Sequence, residues 1–203
     1  AIKRAFEESL TDFEQQRYEK ILDRFSNAMK VGEPVVSLGH DIANDVDARY
    51  TEDADPPRVK TGFAAIDDVT NGGLPKTNLG IIVAPSGIGK SWLMCALGTN
   101  AIKLGYNVLH YTLELKDIYT AKRYDSLIAK ISLSDLKFHL DELKVAISKL
   151  KGKLLIKEFP TGTLSFTGLE AHIERVILSG FKPDLIIIDY PELMKIALTG
   201  DRD

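Results

Sequence analysis

Ala84-Pro85-Ser86-Gly87-Ile88-Gly89-Lys90-Ser91 sets small residues, a lysine and a hydroxyl in the order that an oxyanion requires. Small residues let successive backbone N–H groups turn inward around a phosphate. A helix opening at the end of such a loop adds the partial positive charge of its N-terminus. At this spacing Lys90 can reach the β- and γ-phosphates of a nucleoside triphosphate, and the Ser91 hydroxyl can ligate Mg²⁺. The stretch fits G-x-x-x-x-G-K-[ST] with Ala84 in place of the first glycine. On this reading Ser86, Gly87, Ile88, Gly89, Lys90, Ser91 and the adjoining Trp92 form the nucleotide contact. The plain alternative is a glycine-rich turn with an exposed lysine, and packing alone would account for Trp92.

Two carboxylates complete the set. Leu185-Ile186-Ile187-Ile188-Asp189 is an apolar run ending in an acid, the form that holds Mg²⁺ beside a phosphate loop. Asp189 and Ser91 are therefore the expected metal ligands. Glu114 closes His110-Tyr111-Thr112-Leu113-Glu114-Leu115, where a carboxylate can orient and deprotonate a water. Parallel strands of one sheet present their C-terminal ends along a common edge. Lys90, Glu114 and Asp189, the expected catalytic residues, should meet there. Cys95, one turn into the loop's helix, reads as buried filler and His110 as a core histidine. His40, His139 and His172 have no metal-ligand spacing.

The elements that must position these groups alternate from residue 61 onward. Strands are expected over Leu79–Ala84, Asn107–Thr112, Lys153–Phe159 and Leu185–Asp189. Helices are expected over Ser91–Leu104 (stopping at Gly105), Ile118–Ile131 and Leu136–Leu150, with a further one capped by Thr167-x-x-Glu170 and ending at Gly180. Ile186-Ile187-Ile188 is apolar on both faces, the mark of a parallel strand covered by helices on either side. The fold class is α/β: a mostly parallel sheet flanked by helices.

The first 60 residues differ. Phe6, Leu10, Phe13, Ile21, Leu22, Phe25 and Met29 make one stripe of an amphipathic helix over residues 5–29, for which Thr11-x-x-Glu14 offers a second start. Residues 31–60, broken by Gly32, Pro34, Gly39, Pro56 and Pro57, read as a linker with room for a short helix over Ser37–Tyr50. The chain divides into an N-terminal helical segment (1–30), a linker (31–60) and an α/β core (61–203). Net charge is -4 before residue 61 and +1 after it. With 44% hydrophobic and 27% charged residues, the 203-residue chain has the balance of an ordinary folded protein. A single cysteine excludes an internal disulfide framework, and no uncharged apolar run approaches the ~20 residues of a membrane span. The expected setting is cytosolic.

Thr61-Gly62-Phe63-Ala64-Ala65-Ile66-Asp67, then Gly72-Gly73-Leu74, then the phosphate loop, resembles the opening of a RecA-like P-loop ATPase core, shared by recombinases, KaiC-type regulators and DnaB-type replicative helicases. Tyr111-Thr112-Leu113-Glu114-Leu115, an arginine nine residues after Glu114 (Arg123), and Asp189-Tyr190-Pro191-Glu192-Leu193-Met194 are most similar to the DnaB type, in its bacteriophage branch. The resemblance covers about residues 60–196. Pro191 and Glu192 depart from it, standing where the family usually has Leu and Gln. Pro191 should stop sheet pairing, and Glu192 competes with Glu114 as the base.

The resemblance implies an ATP- and Mg²⁺-dependent DNA helicase subunit that translocates on single-stranded DNA. It would act as a homo-oligomer, a hexameric ring, with a primase or helicase loader as partner and no membrane association. The location would be cytoplasmic, in the host cytoplasm for a phage protein. Arg123 becomes a candidate for positioning Glu114 or sensing the γ-phosphate. The family's polar sensor strand, DNA-binding loops and arginine finger are expected beyond residue 203, which makes the sequence a fragment of the motor with slow turnover by itself. The other readings are a RecA-class recombinase or KaiC-like regulator, and an adaptor that binds nucleotide without hydrolysing it.

Overall fold

The computed structural model describes residues 20–21 and 56–195. Lys20 and Ile21 are helical. The rest of the expected helix over 5–29, the helix over Ser37–Tyr50 and linker residues 31–55 lie outside the described residues. The chain divides into two compact units, Ala1–Asp55 and Pro56–Asp203. The elements below belong to the second.

Two short strands open it. β1 (Arg58–Val59) pairs antiparallel with β2 (Leu74–Pro75), so the end of the expected linker is already sheet. Between them runs α1 (Ala64–Val69). The Asp67 carboxylate accepts hydrogen bonds from the Thr61 backbone N–H (2.8 Å), the Thr61 hydroxyl (2.8 Å) and the Gly62 N–H (3.1 Å). Asn100, far along the chain, donates its side-chain amide to the Thr61 carbonyl at 2.8 Å. These bonds tie the Thr61–Asp67 turn to the helix that follows the phosphate loop.

Five further elements build the main layer: α2 (Lys90–Leu104), β3 (Val108–Thr112), α3 (Asp117–Ala129), α4 (Leu140–Ser148) and β4 (Leu154–Glu158). α5 (Phe166–Leu178) and β5 (Leu185–Asp189) complete it. The sheet is parallel in the order β4-β3-β5, with β3 in the centre and buried at all five positions. Its two faces carry separate cores. Leu109, Tyr111 and Leu113 pack with Leu164, Leu169 and Val176 under α5. Val108 and Ile187 pack with Ala101 and Ile102 of α2. No helix among the described residues is long and apolar enough to cross a membrane.

Five expectations need correction. Leu79–Ala84 forms no strand and pairs with none among the described residues, and Leu79, Ile81 and Val83 are 83%, 75% and 88% exposed. β-pattern without a neighbour yields no ladder, and among the described residues β5 pairs only with β3, which leaves Ile186 half-exposed instead of sandwiched. The helix expected over Leu136–Leu150 is broken at His139 into a 3₁₀ turn (Leu136–Phe138) and α4. The cap of α5 is Ser165, whose hydroxyl accepts from the Gly168 N–H at 3.1 Å; Thr167 lies inside the helix. Helix α3 stops at Ala129, where Lys130 takes a left-handed φ of 59°.

The α2–α3–β3 seam is the tightest packing near the loop. Tyr124 of α3 is buried and its hydroxyl lies 2.8 Å from Nδ1 of buried His110 on β3. The same hydroxyl occupies the place a Cβ would take at Gly98 of α2. Only a residue without a side chain lets the two helices approach this closely. Overpacking costs about 1–3 kcal/mol, more than the ~1 kcal/mol that alanine gains over glycine in a helix. Gly98→Ala should therefore lower stability, and Tyr124→Phe in the same chain should restore part of the loss, as read by urea denaturation.

Burial, helped by the charge of Arg123, pulls the His110 imidazole down to about 4 from its ordinary 6.5. The unfolded chain takes up this proton first. The neutral imidazole thus favours the fold fully above about pH 6.5, and the contribution is lost as pH falls towards 4, on the order of 3 kcal/mol in all. The urea midpoint should drop more between pH 7 and pH 4.5 in the wild-type chain than in His110→Gln.

Candidate functional site

The loop from Ala84 to Gly89 enters α2 with no side chain capping the helix N-terminus. Gly87 and Gly89 adopt φ of 81° and 103°, and open space surrounds the place of a Cβ at each. This left-handed backbone is the form that favours glycine, and it leaves a shallow cradle in front of the helix. Ser86 and Ile88 are exposed along the rim, and Lys90, Ser91 and Trp92 are half-buried in the first turn. The Lys90 ammonium bends back over the loop and donates to the Ala84 carbonyl (2.7 Å) and the Pro85 carbonyl (3.2 Å). Uncapped N–H groups, a helix N-terminus and a lysine together suit a multiply charged anion.

Strand register decides where Asp189 faces. Leu185, Ile187 and Asp189 lie level with Val108, His110 and Thr112 of β3. Alternation puts all six on the sheet face covered by α2. Asp189 is 3% exposed, and its Oδ1 has no hydrogen-bond partner among the described residues. Its charge reaches Cys95 on α2. Burial pushes that thiol up to about 12, with Arg123 opposing the rise and Asp189 adding to it. Cys95 follows Ser91 by four residues, so the two share a helix face. Ser91 stands one turn before Cys95 on that helix.

Glu114 is not the last residue of its strand. β3 ends at Thr112, and Glu114 sits two residues further on, exposed in the turn before α3. The turn is fixed to the Asp189 edge by a 2.9 Å bond from the Leu113 N–H to the Asp189 carbonyl. The Glu114 carboxylate lies beside the Tyr190 phenol and is the chief cause of that group's raised pKa, ahead of burial, Asp189 and Glu192. Tyr190 thus stays a hydrogen-bond donor at neutral pH. Glu192 is exposed in the 3₁₀ turn Pro191–Leu193 that follows the strand, where Pro191 ends the sheet as expected. Arg123 is half-buried on α3, its guanidinium over the Trp92 ring.

Two neighbours escaped sequence reasoning. Tyr190 carries no motif of its own beyond following Asp189. Glu158, at the end of β4, is level with Thr112, and its Oε2 accepts from the Asp117 N–H at 3.2 Å at the start of α3. A third carboxylate ending a strand was the available signal. Cys95 and His110 are buried as expected, and no group of three or more acidic, His or Cys residues could hold a metal among the described residues.

A family model described as the DnaB-like helicase C-terminal domain matches residues 58–203. The DnaB-like replicative helicase of Enterobacteria phage T4 is 29% identical over 177 residues, covering 78% of this chain and 35% of that protein. Among solved structures, a DnaB-like replicative helicase described with its interactions with primase has a TM-score of 0.68 at 17% identity, over 98% of this chain and 49% of that one. A solved ATPase domain gives 0.62 at 19% identity, over 81% of this chain and 62% of the other. The fold is therefore RecA-like, and the chain spans between about a third and three fifths of the proteins it matches.

Proposed function

The chain belongs to the DnaB-like helicase C-terminal domain family, and on that premise we propose that it carries the ATP-hydrolysing half-site of a replicative DNA helicase subunit. The observation that supports this best is the Asp189 edge. Asp189, with a buried carboxylate oxygen that has no partner, ends a strand packed against α2, whose N-terminus is uncapped, and the turn carrying exposed Glu114 is bonded to the Asp189 backbone. An unpaired buried carboxylate is costly unless a cation or donor meets it. The donor set fits Mg²⁺, a hard cation that prefers one or two protein oxygens alongside phosphate oxygens and water. Ser91 and Asp189 would hold it. When bound, Mg²⁺ neutralises charge on the β- and γ-phosphate oxygens.

The chain's own groups do the rest. Backbone N–H groups from Ser86 to Ser91 orient the triphosphate, and Lys90 exchanges its loop carbonyls for phosphate oxygens. Glu114 accepts a proton from the water that attacks the γ-phosphorus, while the bridging oxygen leaves on ADP. Tyr190, its phenol kept protonated, donates to the Glu114 carboxylate and steadies it. In this reading Glu114 is the base and Glu192, three residues beyond Asp189, is the competing carboxylate; the 2.9 Å bond from the Leu113 N–H to the Asp189 carbonyl supports Glu114. Catalysis of this kind is positioning and electrostatics, with no covalent enzyme intermediate. Single-stranded DNA, a hexameric ring and a primase or loader partner belong to the same proposal, as does the contribution of a trans arginine from a neighbouring subunit.

The test separates binding from turnover. Lys90→Ala should abolish binding of a fluorescent ATP analogue. Glu114→Gln should bind it as the wild type does and lose at least about 100-fold in DNA-stimulated ATPase, in line with the ~10²–10⁴-fold worth of a general base. Asp189→Asn should lose the Mg²⁺-dependent part of the affinity. Unchanged ATPase in Glu114→Gln would remove the hydrolytic reading.

A further inference from the structure

Trp92 and Arg123, read from the sequence as a nucleotide contact and as a partner of Glu114 or the γ-phosphate, lie against one another. The guanidinium carbon of Arg123 is 5.4 Å from the centroid of the Trp92 ring, within the ~6 Å over which a ring quadrupole holds a cation. Both side chains are half-buried, and among the described residues no carboxylate forms an ion pair with Arg123. Its charge is felt by Cys95 on α2 and by His110 on β3, so the guanidinium sits where α2, α3 and the central strand meet. Trp92 follows Ser91 directly, and α3 begins three residues after Glu114. The stack therefore joins the first turn of the phosphate helix to the helix that leads away from the Glu114 turn. Further along, the two helices are joined by Tyr124 against Gly98 and by the Lys103 ammonium donating to the Leu127 carbonyl at 3.2 Å; the Trp92–Arg123 stack joins them at the first turn of α2.

We propose that Trp92 and Arg123 act as one positioning unit, holding Lys90 and Ser91 on α2 at a fixed distance from the Glu114 turn through a cation–π stack. The inference rests on the hydrolytic reading above. Neither side chain touches phosphate; each acts through the backbone it anchors. Misplacement of reacting groups by about 1 Å can cost 10²-fold in rate, and the loss falls on the chemical step more than on binding.

Steady-state ATPase of the assembled protein with single-stranded DNA tests this. Arg123→Ala and Trp92→Ala should each lower kcat about 10- to 100-fold, with KM for ATP within about threefold. The double variant should be no worse than the poorer single one, as for residues that work as a unit. Trp92→Phe, which keeps a ring face, and Arg123→Lys, which keeps the cation but not the planar stack, should each recover part of kcat. These two conservative variants carry the test if the alanine variants do not fold. Unchanged kcat, multiplicative losses in the double variant, or losses confined to melting temperature would overturn the proposal. Glu114→Gln run alongside separates the failures. If it too keeps full turnover, the hydrolytic reading is wrong; if it loses turnover while Arg123→Ala does not, only the positioning unit is.

Discussion

The parallel pairing of β3 with β5 is the constraint on which the site depends. Register sets Thr112 beside Asp189, and the two-residue period then decides which face each side chain takes. A slip of one residue would turn Asp189 towards the α5 core and bring Ile188 round to the phosphate helix. The apolar residues of β5 oppose that slip, because Ile187 and Ile188 belong to different cores on opposite faces. Hydrophobic packing thus fixes the orientation of a polar group it never touches.

The other coordinate is the distance of α2 from the sheet. Ala101 and Ile102 bury its C-terminal half, Gly98 admits the Tyr124 hydroxyl, and Asn100 fastens the Thr61 turn. None of these groups does chemistry. Together they hold the helix from three sides, so that its N-terminal turn, which must stay open for an anion, needs no interior capping of its own.

Much of this was legible in the chain. The alternation of helices and strands, β5 to the residue, the glycine stop of α2 and the burial of Cys95 and His110 follow from periodicity and composition. The two glycines of the loop motif take the left-handed backbone that its spacing called for. What failed depended on partners the local sequence does not encode. Leu79–Ala84 has strand composition, yet a ladder needs a neighbour. Ser165 and Thr167 are equally good caps in sequence, and only the helix start chooses between them. Glu114 looked like a strand end because the apolar run continues through Leu113, whose burial belongs to the turn. Glu158 and Tyr190 joined the site through strand register and chain direction, which no spacing rule reports.

The lysine that bends over its own loop has one further consequence. With its ammonium collected by the Ala84 and Pro85 carbonyls, a nucleotide bound as proposed above would displace oxygens already in place, and its departure would leave no naked cation behind. Entry and exit become exchanges of ligand around a nitrogen that is always solvated by something. Under the function proposed above, such a swap would ease the release of spent nucleotide.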